Sequence, residues 1–264
     1  MLTLLDARDG RPAALGPAHP GELRLLVSAA PGSGAVRAFL AADLIRRVAE
    51  RRGLLVTLCH LADPAEDLAA LRGDCAALNV YPPEHTLPPA PPADLAAQLA
   101  ALFPGGGAAA TGRPLLDAAV GEPDAAACLA RVTAVPGPVT GEAGSVREVT
   151  RRGLDPLALR LALLRLRYRE PAGLGWEALH AADKTLRRWR EQVAAWARSP
   201  STAMSRRYAG AVTAAFDDDL DTPAALREIG AMAGDAAEAD GTRFETFAAA
   251  DRLLGLDLAR DVGS

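Results

Sequence analysis

Leu23-Arg24-Leu25-Leu26-Val27, then Ala30-Pro31-Gly32-Ser33-Gly34, then Leu54-Leu55-Val56-Thr57-Leu58-Cys59 are the stretches that decide how this chain folds. The first and last are short apolar runs bounded by turn residues, which predicts two buried strands. Between them Val36, Phe39, Leu40, Leu44, Ile45 and Val48 recur at helical spacing over 35–52. Arg46, Arg47, Arg51 and Arg52 fall late in that stretch and Gly53 follows, the pattern of a helix C-terminus. Strand, glycine turn, helix and strand form one βαβ unit with parallel strands and a right-handed crossover.

Outward from this unit, residues 65–78 predict a helix. The proline-dense stretch 81–92 must be extended or turned, because proline removes a donor and restrains its neighbour. A short helix over 93–103 stops at Pro104-Gly105-Gly106-Gly107. Signals over 108–150 are weaker: a helix near 114–130, a strand at 131–135 and a loop at 136–144. Beyond residue 155 the pattern is helical, with helices expected near 155–168, 176–198, 202–217, 222–236 and 242–257. Asp221-Thr222-Pro223 sets a capping residue and then proline at a helix start. Residues 1–22 are rich in Pro and Gly and read as a loosely attached lead-in. The fold class is α/β plus α. An N-terminal extension (1–22) precedes a reduced Rossmann-like, nucleotide-binding-type domain (23–150), and an α-helical bundle (151–264) follows.

The 264 residues carry 29 basic and 33 acidic side chains, a net charge of -4. That balance excludes a general electrostatic grip on nucleic acid and leaves room only for a local basic face. Lys184 is the sole lysine, so any mechanism needing an ammonium group must use it. Cys59, Cys75 and Cys128 are odd in number, widely spaced and without a CxxC pair, which predicts reduced thiols and, for Cys75 and Cys128, small packing residues. No apolar run reaches the ~20 residues of a membrane span. No basic segment followed by an apolar core opens the chain. The expectation is a cytoplasmic protein with no membrane contact.

Several residues carry a functional and a structural reading side by side. Gly32-Ser33-Gly34 lies between strand and helix, where backbone amides cradle a phosphate or simply make a tight turn. Asp63 falls at the carboxyl edge of the sheet, placed to hold a ligand or to cap its loop. His60 adjoins Cys59, but neighbours on a strand face opposite ways, which argues against a direct dyad. Arg165, Arg167, Arg187 and Arg188 form either a surface for RNA phosphates or a solvated face. Asp217-Asp218-Asp219 reads as an acidic turn, and no metal is expected there.

Asp155-Pro156-Leu157-Ala158-Leu159-Arg160, Arg167-Tyr168-Arg169-Glu170-Pro171 and Phe216-Asp217-Asp218-Asp219-Leu220-Asp221-Thr222-Pro223 together resemble the region after the active site of cysteinyl-tRNA synthetases. Asp43-Leu44-Ile45-Arg46-Arg47 is similar to a helix end in that family's nucleotide-binding domain. The alignment puts Arg37 on the family's arginine and Gly32-Ser33-Gly34-Ala35 on its His-Ile-Gly-His signature, of which only Gly34 survives. Val139-Thr140-Gly141-Glu142-Ala143-Gly144-Ser145 stands in place of the Lys-Met-Ser-Lys-Ser loop and holds no lysine. Ser28 falls near the first cysteine ligand of the family's zinc site, and 104–150 contains no histidine.

The resemblance implies a class I scaffold and, with its charge-stabilising groups gone, little adenylation. It implies a shortened, degenerate relative without zinc. ATP or an aminoacyl adenylate is the candidate ligand, held by Gly32, Ser33, Gly34, Arg37 and Asp63, with Ser28 and His60 in the pocket. It also implies tRNA contact by Arg165, Arg167, Arg187 and Arg188, since the family's bundle lies along the tRNA. A binding or regulatory pseudoenzyme is the leading expectation. The alternatives are a repurposed ligase or acyl-transfer enzyme, with Ser28, Ser33 and His60 as its first candidates, and a subunit of a protein partner.

Overall fold

The computed structural model describes residues 1–29, 33–63, 68–103, 114–121, 126–142 and 145–263, with the Ser33 side chain left out. The chain divides into two compact units: residues 1–76, 80–138 and 168–170, and residues 77–79, 139–167 and 171–264.

The first unit opens with an antiparallel hairpin, β1 (Thr3–Asp6) and β2 (Arg11–Ala14). Then come β3 (Glu22–Ser28), α1 (Ser33–Glu50), β4 (Leu55–Leu61), α2 (Ala69–Ala77), β5 (His85–Leu87), α3 (Pro92–Leu102), β6 (Leu116–Gly121) and β7 (Ala130–Ala134). The last five strands form one parallel sheet in the order β5-β4-β3-β6-β7. This is the Rossmann arrangement, and the expected βαβ unit is its centre.

Leu25, Leu26 and Val27 are all fully buried. A parallel strand covered on both faces has no wet side, which is why Leu25, Leu26 and Val27 run apolar without alternating. On one face Leu26, Cys59, Leu61 and Leu87 pack against Leu95, Leu99 and Phe103. On the other, α1 lies against β3, β4 and β6. β5 is an edge strand, and edges tolerate the prolines that flank it.

Two expectations fail here. Of the helix foreseen at 114–130, residues Leu116–Gly121 form the strand β6 and Ala127–Leu129 a single 3-10 turn, while 122–125 lie outside the described residues. The Ala-rich sequence of β6 favours helix locally, but pairing to β3 and β7 overrides that preference. Buried Asp117 reinforces the pairing by accepting from the amides of Ala18 (2.6 Å) and Arg24 (2.9 Å). Nor are residues 1–22 loosely attached. Leu2, Leu4 and Leu15 are buried, and the Ala7 amide donates to the Thr133 carbonyl at 2.8 Å.

In the second unit, β8 (Val139–Thr140) pairs in parallel with β9 (Ala172–Gly173). Helices α4 (Val146–Arg151), α5 (Pro156–Leu164), α6 (Trp176–Trp196), α7 (Arg206–Asp217), α8 (Thr222–Gly234) and α9 (Asp240–Leu254) make up the rest. β8, β9 and α4 are additions to the sequence reading. Asp155 caps α5 through the Leu157 amide (2.8 Å) and takes Arg190 and Arg260, each at 2.6 Å. Burial works against its charge, but Arg190, the Leu157 amide and Arg260 outweigh it and hold the carboxyl below its usual range. Asp221 caps α8 through the Ala224 amide at 2.9 Å. Asp219 and Leu220 turn the chain with φ of 52° and 50°. Trp196 packs edge-on to Phe247 at 5.1 Å.

Candidate functional site

The sheet changes direction between β3 and β6, with β4 and β5 to one side and β7 to the other. Open α/β sheets bind ligands beyond the carboxyl ends of the strands at this switch point. Ser28 ends β3 there, in register with Gly121 of β6 and Leu61 of β4. Gly121 has φ +130°, and a Cβ on it would lie 1.7 Å from the Ser28 carbonyl oxygen. Only glycine lets the two central strands approach this closely.

Around this edge the topology gathers Ser28, half-buried, with exposed Gly34 in the first turn of α1 and exposed Asp63 just past β4. Gly32 and the Ser33 side chain lie outside the described residues. Arg37 is 2% exposed, and its guanidinium donates to the carbonyls of Gly137 (3.3 Å) and Pro138 (3.4 Å). Burial depresses its pKa, with Glu170 opposing. Its charge therefore also serves the segment after β7.

His60 is 2% exposed, its ring edge-on to Phe39 at 4.8 Å and hydrogen-bonded to the Ala29 backbone. Its Nε2 has no partner among the described residues. Cys59 faces the opposite side of the sheet, in the cluster with Leu26 and Leu61. Burial pushes the thiols of Cys59 and Cys75 up to about 12, so both stay protonated and weakly nucleophilic at neutral pH. Cys128, expected to pack, is instead exposed; the short 3-10 turn Ala127–Leu129 presents it at the surface.

Burial lowers the pKa of His60. The unfolded chain therefore takes up this proton first, as pH falls through about 6.5. Stability is full above that value and declines below it toward the folded pKa. Between pH 7 and pH 5 the wild-type Tm should fall more steeply than that of His60→Phe, which keeps a ring but cannot titrate. Parallel melting curves would refute this.

Among the described residues no three His, Cys, Asp or Glu side chains converge. No helix among them is long and apolar enough to cross a membrane.

The four arginines singled out in the bundle separate into two pairs. Arg167 is half-buried and ion-paired to Asp221, with Asp219 at 3.9 Å. Arg187 pairs with Asp183 one turn back at 2.8 Å. Arg165 and Arg188 instead share a cavity of about 400 Å³ with Thr185, Trp189 and Arg227. Arg165 donates to the Thr185 hydroxyl at 2.9 Å. Desolvation, then the like charge of Arg188, lowers its pKa. Arg227 escaped the sequence reading because it stands alone among neutral and acidic neighbours. Only the packing of α8 beside α5 and α6 brings it to the others.

With this architecture in place, the chain is similar to proteins named for the ligation of cysteine. No protein-family model matches. The L-cysteine:1D-myo-inositol 2-amino-2-deoxy-alpha-D-glucopyranoside ligase of Nakamurella multipartita is 39% identical over 113 residues, 43% of this chain and 26% of that protein. Its counterpart in Stackebrandtia nassauensis is 37% identical over 116 residues, 42% of this chain and 26% of that protein. The cysteine–tRNA ligase of Paracoccus denitrificans is 35% identical over 119 residues, 45% of this chain and 23% of that protein. The matches thus span about a quarter of the length of these relatives. They are cysteine–tRNA ligase-like, in keeping with the motifs of the sequence.

Proposed function

We propose that this protein is a non-canonical binding or regulatory relative of the cysteine ligases, which uses the class I scaffold without activating cysteine as an adenylate. The observation that carries this reading is Ala35. The resemblance sets it where the family presents the last histidine of its signature, and here it is 0% exposed in the first turns of α1. A buried methyl group offers nothing to a developing phosphate charge, and loss of one preorganised group commonly costs ~10²–10³ in rate. The imidazole on the neighbouring strand β4, His60, is buried against Phe39 and depressed in pKa.

A nucleotide or aminoacyl adenylate is the ligand we assign to the crevice, with Ser28, Gly34 and Asp63 at its rim. The expected result is no ATP–pyrophosphate exchange with cysteine above background, together with a thermal shift on adding a cysteinyl-sulfamoyl adenosine analogue, since a ligand of the native state raises its stability. Robust cysteine-dependent exchange would overturn the proposal.

The orphaned Nε2 of His60 favours one second reading, a ligase acting on a small amine, as the names of two relatives suggest for those proteins. Product formed from L-cysteine, ATP and an amino sugar, and lost in His60→Gln, would establish it.

A further inference from the structure

The cavity in the helical unit brings Arg165, Arg188 and Arg227 together around Thr185 and Trp189, and no acidic residue lines it. Among the described residues neither Arg188 nor Arg227 has a carboxylate partner. Elsewhere in this unit Arg167, Arg187, Arg190, Arg243 and Arg260 all meet a carboxylate. Three like charges around one concavity repel one another, and Arg165 registers that repulsion from Arg188. Such an arrangement is stabilised by an anion that enters it.

We infer that this cavity is a binding site for a small phosphate monoester, with its phosphate on Arg165, Arg188 and Arg227 and its apolar body against Leu161, Pro223 and Leu226. The charge count selects the ligand. A phosphate monoester brings about -1.5 to -2 charges at pH 7 and three acceptor oxygens, whereas a carboxylate brings one charge and would leave the site strongly positive. Guanidinium forks match phosphate oxygens two at a time. The volume also matters. About 400 Å³ is within the usual ~300–1,000 Å³ range of small-molecule pockets and larger than a bare phosphate needs.

An RNA strand is a weaker candidate occupant. It would need uncommitted cations extending along a track, and the flanking Arg167 and Arg187 are already neutralised by Asp221 and Asp183. This inference is independent of the reading of the crevice, because its assay needs neither ATP nor cysteine.

The test is calorimetric titration of the full chain with phenyl phosphate, with inorganic phosphate, phenol and a short single-stranded RNA as the other arms. Arg188→Gln/Arg227→Gln is the variant, because both side chains are exposed and hold no structural partner. Saturable one-to-one binding of phenyl phosphate, tighter than inorganic phosphate and absent for phenol, is expected. In the double variant it should weaken by roughly tenfold or more, the effect of losing at least one charge-assisted hydrogen bond. Without ligand, the Tm of the variant should equal or exceed that of the wild type, since a repulsion has been removed. No saturable binding of phenyl phosphate, binding indifferent to the substitutions, RNA binding that phenyl phosphate cannot displace, or a ligand-free variant of lower Tm would each overturn the assignment.

Discussion

Arg160→Leu is expected to cost the helical unit about 3–5 kcal/mol, the range for removing one side of a buried charged network. Arg160 is fully buried on α5. Its Nε donates to the Leu254 carbonyl at 2.6 Å, and its Nη1 to the carbonyls of Leu78 (2.9 Å) and Asn79 (3.1 Å). Leu254 closes α9, where the last carbonyls of a helix have no partner of their own. Leucine fills much of the space but takes this donor away from the buried carbonyls of Leu78 and Leu254, each loss costing about 1–3 kcal/mol before relaxation. Arg160→Lys should recover only part of the loss, because an ammonium cannot fork toward carbonyls from two segments. Denaturant unfolding followed by far-UV circular dichroism reads both values. A change below about 1 kcal/mol in Arg160→Leu would show that the carbonyls find other donors. Against a typical total of about 5–15 kcal/mol, the expected loss is large.

Gly121→Ala should be at least as damaging, at more than about 3 kcal/mol, through backbone strain and overpacking together. The added Cβ would lie 1.7 Å from the carbonyl oxygen and 2.7 Å from the carbonyl carbon of Ser28, at a φ of +130°. Both atoms belong to the central strand, so relief requires β3 and β6 to part. Gly34→Ala is the control. A Cβ at this position on α1 would have no neighbour within 4 Å, and alanine there should be neutral or stabilising by up to about 1 kcal/mol. Comparable melting temperatures for Gly121→Ala and the wild type would contradict the close approach at the switch point.

Much of the architecture was legible in the chain because local and tertiary demands agree. Leu23–Val27 and Leu54–Cys59 are short, mostly apolar runs bounded by turn residues, which marks them as core strands. The arginines before Gly53 marked the end of α1. Asp155-Pro156 and Asp221-Thr222-Pro223 announced helix starts, and both aspartates do accept from their helices' first amides. β6 was illegible because Leu116-Asp117-Ala118-Ala119-Val120 carries a helical preference that only pairing overrides. The hairpin at the N-terminus was masked by its prolines and glycines, since its hold on β7 depends on partners more than 100 residues away.

The crevice was half legible. Ser28, Asp63 and Gly34 could be placed at strand ends and a helix start from periodicity. That they meet at one edge follows from the strand order, which no local pattern encodes. The basic pocket was less legible still. Sequence reports that Arg165, Arg167, Arg187 and Arg188 are charged, but says nothing of which charges are already satisfied. Arg167 and Arg187 lie beside Asp221 and Asp183, whereas Arg165 and Arg188 face each other with Arg227.

Sequence alone therefore determined the class of fold, the positions of most helices and of the strands β3, β4 and β7, and the similarity to cysteine ligases, because burial periodicity, capping chemistry and motif order are local properties. The tertiary structure alone decided that Gly121 touches Ser28, that Arg160 serves three distant carbonyls, and that three arginines share one cavity. Each of these depends on which distant segments pack together, and a side chain's free energy is set by those neighbours rather than by its own identity.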